Sequence, residues 1–147
     1  LLRVSARRMD YNNPALTARA QFFADREAVG KALELVRDFV NRAECGADAE
    51  ARLSIVVEEL VANLVEHGDA PADSEIGLEV SALGAEIGVT LSDAGTPFDP
   101  RSVEMPDEIP ERGGGAGLAL VRHWAREIGY ASADGRNVLS LIISNDV

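Results

Sequence analysis

From Ile55 to Gly68 the chain reads IVVEELVANLVEHG, and the spacing of its apolar residues permits few folds. Leu53, Val57, Leu60 and Leu64 recur at the spacing of one stripe on an amphipathic helix. Asp48 marks the start of that helix and Gly68 its end. Beside the apolar stripe runs a polar one: Glu59, Asn63, Glu66 and His67. Glu59 and Asn63 stand one turn apart, about 6 Å along the axis, on a single face. An aligned carboxylate and carboxamide suit a metal–phosphate site, where Asn lends a carbonyl oxygen to Mg2+ and Glu takes a proton or orients a water. A helix edge that meets solvent has the same pattern, so the choice falls to the rest of the chain.

Two other periodicities surround this helix. Ala18 to Phe23 suits a strand. Asp25 then caps a helix carrying Val29, Leu33, Val36 and Val40, with Leu35 and Phe39 widening its stripe and Gly46 ending it. After the exit loop His67-Gly68-Asp69-Ala70-Pro71, Ile76, Leu78 and Val80 alternate with smaller or polar residues, and Ile87, Val89 and Leu91 do the same. The short link through Gly84 makes these an antiparallel hairpin. Residues 101–116 have no period and carry Pro106 and Pro110, which marks a functional lid or a disordered loop. Leu118, Val121, Trp124, Ala125 and Ile128 then predict a third helix, and 131–134 with 137–143 a closing hairpin turning at Gly135. The expected fold is an α/β two-layer sandwich: a mixed, mainly antiparallel sheet with helices on one face. Residues 1–17 read as a loosely ordered lead-in, and 18–147 as one domain.

Composition narrows the function. A chain of 147 residues, 46% hydrophobic and 27% charged, closes a core without staples. A net charge of −11 argues against a nucleic-acid partner. The single cysteine, Cys45, excludes an internal disulfide, fits a reducing cytoplasm and reads as filler. No apolar run reaches membrane-spanning length, and none follows Arg3, Arg7 and Arg8, so a cytoplasmic domain without signal peptide or anchor is expected.

Gly113-Gly114-Gly115-Ala116-Gly117 directly precedes the third helix, where free N–H groups and the positive helix end make an anion site. No Gly-Lys-Ser/Thr follows, so this is not a P-loop, and the third glycine of a dinucleotide fingerprint is missing. A flexible linker has the same composition. Asp93 stands where a strand enters a turn, two residues before Gly95. A carboxylate there accepts from an amino group such as the adenine exocyclic amine, and Gly95 admits a ligand close to the backbone. A plain Asx-turn explains Asp93 taken singly.

In combination these stretches resemble the anti-sigma-factor serine/threonine kinases, bacterial members of the GHKL ATPase superfamily with the Bergerat nucleotide-binding fold. Glu59-Leu-Val-Ala-Asn63 with His67-Gly68 resembles the N box. Asp93-Ala-Gly95-Thr-Pro-Phe98-Asp99-Pro100 resembles the G1 box, and Gly113 through Gly117-Leu118 to Val121 the G2 box. Gly129-Tyr130 through Gly135-Arg-Asn137-Val-Leu139-Ser-Leu141 is similar to the tail of the branch. The resemblance covers roughly residues 18–143, and its strength lies in three boxes in order.

The resemblance implies that Glu59 is the general base for an attacking serine or threonine hydroxyl. Asn63 would ligate Mg2+ and Asp93 bind the adenine amine over Gly95. Gly113, Gly115 and Gly117 would form the ATP lid, with Leu118 opening the helix behind it. Glu58 reads as solvated, Arg112 as solvent-facing, and His67 and His123 as poor catalytic candidates. ATP and Mg2+ are the implied cofactors. The implied partners are an anti-anti-sigma protein as phosphorylation substrate, a sigma factor, and a second copy in a homodimer. Two other readings stay open: an ATP-responsive binding module with little kinase activity, and a histidine-kinase-like ATPase domain of a larger regulator.

Overall fold

The computed structural model describes residues 16–102 and 116–144. Residues 1–15 of the lead-in expected over 1–17, and 103–115 of the lid expected over 101–116, with Arg112, Gly113 and Gly115, lie outside the described residues. In chain order the elements are β1 (Thr17–Phe23), α1 (Ala28–Ala43), α2 (Ala47–His67), β2 (Glu75–Leu83) and β3 (Glu86–Asp93). They continue with α3 (Ala116–Trp124), β4 (Ala125–Ala133) and β5 (Arg136–Ser144).

The five strands form one sheet in the order β1-β2-β3-β5-β4. Every described pairing is antiparallel, so the mixed, mainly antiparallel sheet of the expectation has no hydrogen-bonded parallel pair here. β3 and β4 run the same way but β5 lies between them, because the chain passes through α3 to the sheet edge and returns along β5.

Strand alternation decides which face is covered. The rows Phe22–Ile76, Leu78–Leu91–Leu139 and Val80–Val89–Leu141 run across the sheet with every side chain on one face. Phe39 of α1 and Leu53, Val56, Val57 and Val61 of α2 close over that face, and all are fully buried. Each such side chain contributes about 1.5–3 kcal/mol by leaving water. Val121 of α3 is also buried, and the Arg52 guanidinium lies 5.8 Å from the Trp124 ring centre, tying α2 to α3. The helices thus lie on one face, as the periods imply. No helix among the described residues is long and apolar enough to cross a membrane.

Three boundaries differ from the sequence reading. Asp25 stands before the first helix rather than at its cap: its carboxylate accepts from Glu27 N–H at 2.9 Å and its carbonyl from Ala28 N–H at 3.1 Å. That helix ends at Glu44, which takes a left-handed φ of 54°, while Gly46 caps the next one. The third helix stops at Trp124, four residues short of Ile128. From Ala125 the backbone pairs with β5 (Ala125 with Ile143, Arg126 with Ile142), and Glu127 absorbs a bulge at φ 53°. The unpaired edge of β5 outweighs helical periodicity, and Trp124, Ala125 and Ile128 still pack on the core.

The β4–β5 turn holds Asp134 at φ 54° and Gly135 at φ 77°, with nothing within 4 Å of a side chain added at 135. Gly135→Ala therefore tests backbone strain alone and should lower stability by about 1–2 kcal/mol. Gly30 in α1 also has open space around it, with ordinary helical φ, so Gly30→Ala should raise stability by about 0.5–1 kcal/mol. Urea unfolding of the two variants would show the opposite signs.

Candidate nucleotide site

The last two turns of α2, the exit of β3 and the first turn of α3 meet over the end of the sheet. Glu59 and Asn63 project from α2, and Asn63 Nδ2 donates to Glu59 Oε1 at 3.3 Å. That bond assigns the amide: its nitrogen faces the carboxylate, and Oδ1 stays uncommitted among the described residues. α3 arrives beside them. A Cβ at Gly117 would overlap the Glu59 carboxylate, so this glycine is what lets the carboxylate lie against the start of α3. Leu118, the next residue, is buried.

The β3 exit is pinned to the end of α2. Thr96 N–H donates to the Gly68 carbonyl at 2.6 Å, and a Cβ at Gly95 would overlap that same oxygen. Gly95 is thus required by the protein's own backbone, whatever ligand approaches. Asp93 lies just before it, 5% exposed, and its Oδ2 accepts from Gly95 N–H at 2.8 Å, the Asx-turn anticipated from sequence. Downstream, Phe98 N–H donates to the Tyr130 hydroxyl at 2.9 Å. Arg101 pairs with Asp99 and reaches the Ile128 carbonyl at 3.3 Å. Its guanidinium holds the Asp99 carboxyl below the ordinary carboxylate range.

Two chambers result. The deep one, about 40 Å³, is lined by Asp93, Leu60, Leu91, Tyr130 and Leu139. The outer one, about 480 Å³, is lined by Glu59, His67, Gly68 and Pro97. Asn63, Leu64, Thr96, Phe98 and Leu118 line both and form the wall between them. A small-molecule site of ordinary size spans about 300–1,000 Å³, a range that the outer chamber meets by itself.

The sequence-predicted residues thus sort cleanly. Glu59, Asn63 and Leu118 line the outer chamber and Asn63, Asp93 and Leu118 the deep one, with Gly117 against Glu59 and Gly95 beside Asp93. Gly113 and Gly115 lie outside the described residues. His67 is exposed at the mouth, beside Glu66, and His123 is exposed on α3. Tyr130 and Asn137 were not anticipated as site residues. Asn137 is 3% exposed and donates to Asp93 Oδ2 and the Gly95 carbonyl. The one signal for it is a polar residue entering β5 directly before the buried alternation through Leu139, Leu141 and Ile143.

A Mg2+ ion here would find Asn63 Oδ1 as a side-chain carbonyl donor, on the wall that also carries the Thr96 hydroxyl. No group of three or more His, Cys, Asp or Glu able to hold a metal occurs among the described residues. That donor set fits an ion held chiefly by phosphate oxygens and water, the usual manner of Mg2+ at nucleotide sites.

Comparison with known proteins shows the family to which the chain belongs. The family model of the histidine kinase-like ATPase domain matches residues 22–143. The chain belongs to that family. It is 30% identical over 97 residues to the serine/threonine-protein kinase BtrW of Bordetella bronchiseptica, a match spanning 60% of this chain and 66% of that protein. Among solved structures, the RsbU and RsbW domains of Rv1364c from Mycobacterium tuberculosis superpose with a TM-score of 0.61 at 16% identity, over 87% of this chain and 32% of that one. The blue-light activated histidine kinase EL346 of Erythrobacter litoralis gives 0.50 at 20% identity, over 69% of this chain and 32% of that one. The α/β fold of the family, a histidine kinase-like ATPase domain of the GHKL type, is therefore the fold of this chain.

The two glycines at the candidate site predict different costs. Gly95→Ala forces a Cβ onto backbone, which cannot rotate away, and should lower stability by about 1–3 kcal/mol. Gly117→Ala meets only the end of a side chain, and Glu59 can change rotamer at about 1 kcal/mol or less. Chemical denaturation would rank them; a larger loss for Gly117→Ala would overturn the packing described.

Proposed function

We propose that this ATPase domain is a serine/threonine protein kinase of the anti-sigma type. It would phosphorylate an anti-anti-sigma protein and, in its other state, sequester a sigma factor. The observation that carries the reading is the placing of Glu59 and Asn63 on one wall of a site whose floor holds a buried carboxylate, Asp93. The likeness to a protein named a serine/threonine kinase supports it. The role sets the domain in the cytoplasm, with a homodimer as its assembly.

On this reading the residues divide the chemistry between them. Asp93 Oδ1 accepts the adenine amine at the bottom of the deep chamber. Glu59, at the outer chamber, takes the proton of the substrate hydroxyl as its oxygen forms a bond to the γ-phosphorus and the bond to the β-phosphate oxygen breaks. ADP and a phosphoserine or phosphothreonine result. Asn63 Oδ1 would hold Mg2+, which supplies neutralising charge to the phosphates when bound. The start of α3 lies against Glu59, and its free N–H groups would favour an anion there. Leu64 and Leu118 line the outer chamber beside the base.

The Glu59–Asn63 bond shapes the variants. Glu59→Gln keeps an acceptor for Asn63 Nδ2, so ATP affinity should stay near wild type while transfer falls roughly 10²–10⁴-fold. Asn63→Ala should weaken Mg-nucleotide binding and transfer together. Single-turnover transfer from ATP to the purified anti-anti-sigma partner, with affinities by calorimetry, separates the two. Unchanged transfer by Glu59→Gln removes Glu59 as base. A wild type that binds ATP but labels no partner leaves an ATP-responsive binding module.

Asp93→Asn tests the floor of the site. It should cost about 1–3 kcal/mol of ATP affinity, the penalty of a polar group left unpaired. Equal affinity of the wild type for ATP and GTP would overturn the assignment of Asp93 to the adenine amine.

A further inference from the structure

Asp93 and Asn137 are the buried polar side chains among the described residues, and they touch. Asp93 faces Asn137 in the β3–β5 register, and Asn137 faces Ser132 in the β4–β5 register. The three make one row across three strands. Ser132 Oγ and Asn137 Oδ1 are 2.7 Å apart, with the hydroxyl as donor. Asn137 Nδ2 donates to the Gly95 carbonyl at 2.9 Å and to Asp93 Oδ2 at 3.3 Å. Gly95 N–H donates to that same Oδ2 at 2.8 Å.

The row has only one sense. The Gly95 carbonyl can only accept, so turning the Asn137 amide over would set oxygen against oxygen there, while the Ser132 hydroxyl, which donates in this arrangement, would have to accept instead. Both donors to Asp93 therefore fall on Oδ2. Its other oxygen has no partner among the described residues, and Asp93 lines the deep chamber.

We propose that Asn137, held by Ser132, is the positioning residue that sets which nucleobase this site accepts. The amide occupies one oxygen of Asp93 and fixes the carboxylate plane, so that the other is presented as a bare acceptor. A base with an exocyclic amine gains a hydrogen bond at that oxygen, and a base with a carbonyl there meets a repulsive acceptor pair. Selectivity between the two then belongs to the row and not to Asp93 alone. The inference rests on the nucleotide reading above.

Inosine triphosphate (ITP) carries a carbonyl in place of that amine, and so is the probe. Calorimetric affinities for both nucleotides would be measured on the wild type, Asn137→Asp and Ser132→Ala, with thermal unfolding of each. The wild type should prefer ATP by about 10–100-fold. Asn137→Asp sets two carboxyls side by side that must share a proton, so Asp93 is no longer a pure acceptor. The ATP:ITP ratio should fall at least about tenfold. Ser132 is exposed, so Ser132→Ala should fold as the wild type does. It removes the bond that steadies the amide from the β4 side, so the Asp93 carboxylate is held less firmly, and it should lower the ratio about 3–10-fold.

A role in strand packing alone would shift the melting temperature and leave the ratio untouched. An unchanged ratio in folded Ser132→Ala, and in Asn137→Asp where it folds, overturns the inference while the nucleotide reading stands. A wild type that binds neither nucleotide overturns both.

Discussion

The hydrogen bond from Thr96 N–H to the Gly68 carbonyl joins the end of α2 to the loop leaving β3, and the site exists because of it. Glu59 and Asn63 belong to the helix layer, and Asp93 belongs to the sheet. Nothing in either element alone sets the distance between them. The bond closes that gap, and the missing side chain at Gly95 lets the two backbones approach closely enough to form it. Tyr130 and Arg101 then fasten the far end of the same loop to β4, so the segment between Asp93 and Ser102 is held at both ends.

Charge is distributed unexpectedly for a site that would take a polyanion. The chain carries a net charge of −11, and no Lys or Arg among the described residues lines either chamber. Two carboxylates, Glu59 and Asp93, lie at the two ends of the site instead. On the proposed function neither has phosphate as its partner, since one accepts an amine and the other a proton. Neutralisation is left to backbone N–H groups at the start of α3 and to a metal ion. On that reading, nucleotide binding depends on whether the ion is present.

Much of the architecture was legible because it follows from period and turn chemistry. The stripe through Leu53, Val57, Leu60 and Leu64 and the alternations through Ile76–Val80 and Ile87–Leu91 each dictate one inward face, and the structure packs those faces together. Asp134-Gly135 makes its hairpin because a tight turn needs left-handed backbone there. The stretch from Ala125 to Ile128 was not legible. Its apolar spacing suits a helix, and only the neighbouring edge of β5, well downstream in the chain, makes a strand the better state.

The functional residues divide the same way. Local geometry was enough to say which side chains α2 presents on one face, and that Asp93 ends a strand beside a glycine. Only the packed layers settled that Gly117 seats Glu59, that Gly95 makes room for Gly68, and that Asn137 fixes Asp93. Those contacts join residues that are 58, 27 and 44 positions apart in the chain. The reason is physical: a backbone period propagates along a few turns, whereas close approach and buried hydrogen bonding depend on which surfaces the packed layers bring together.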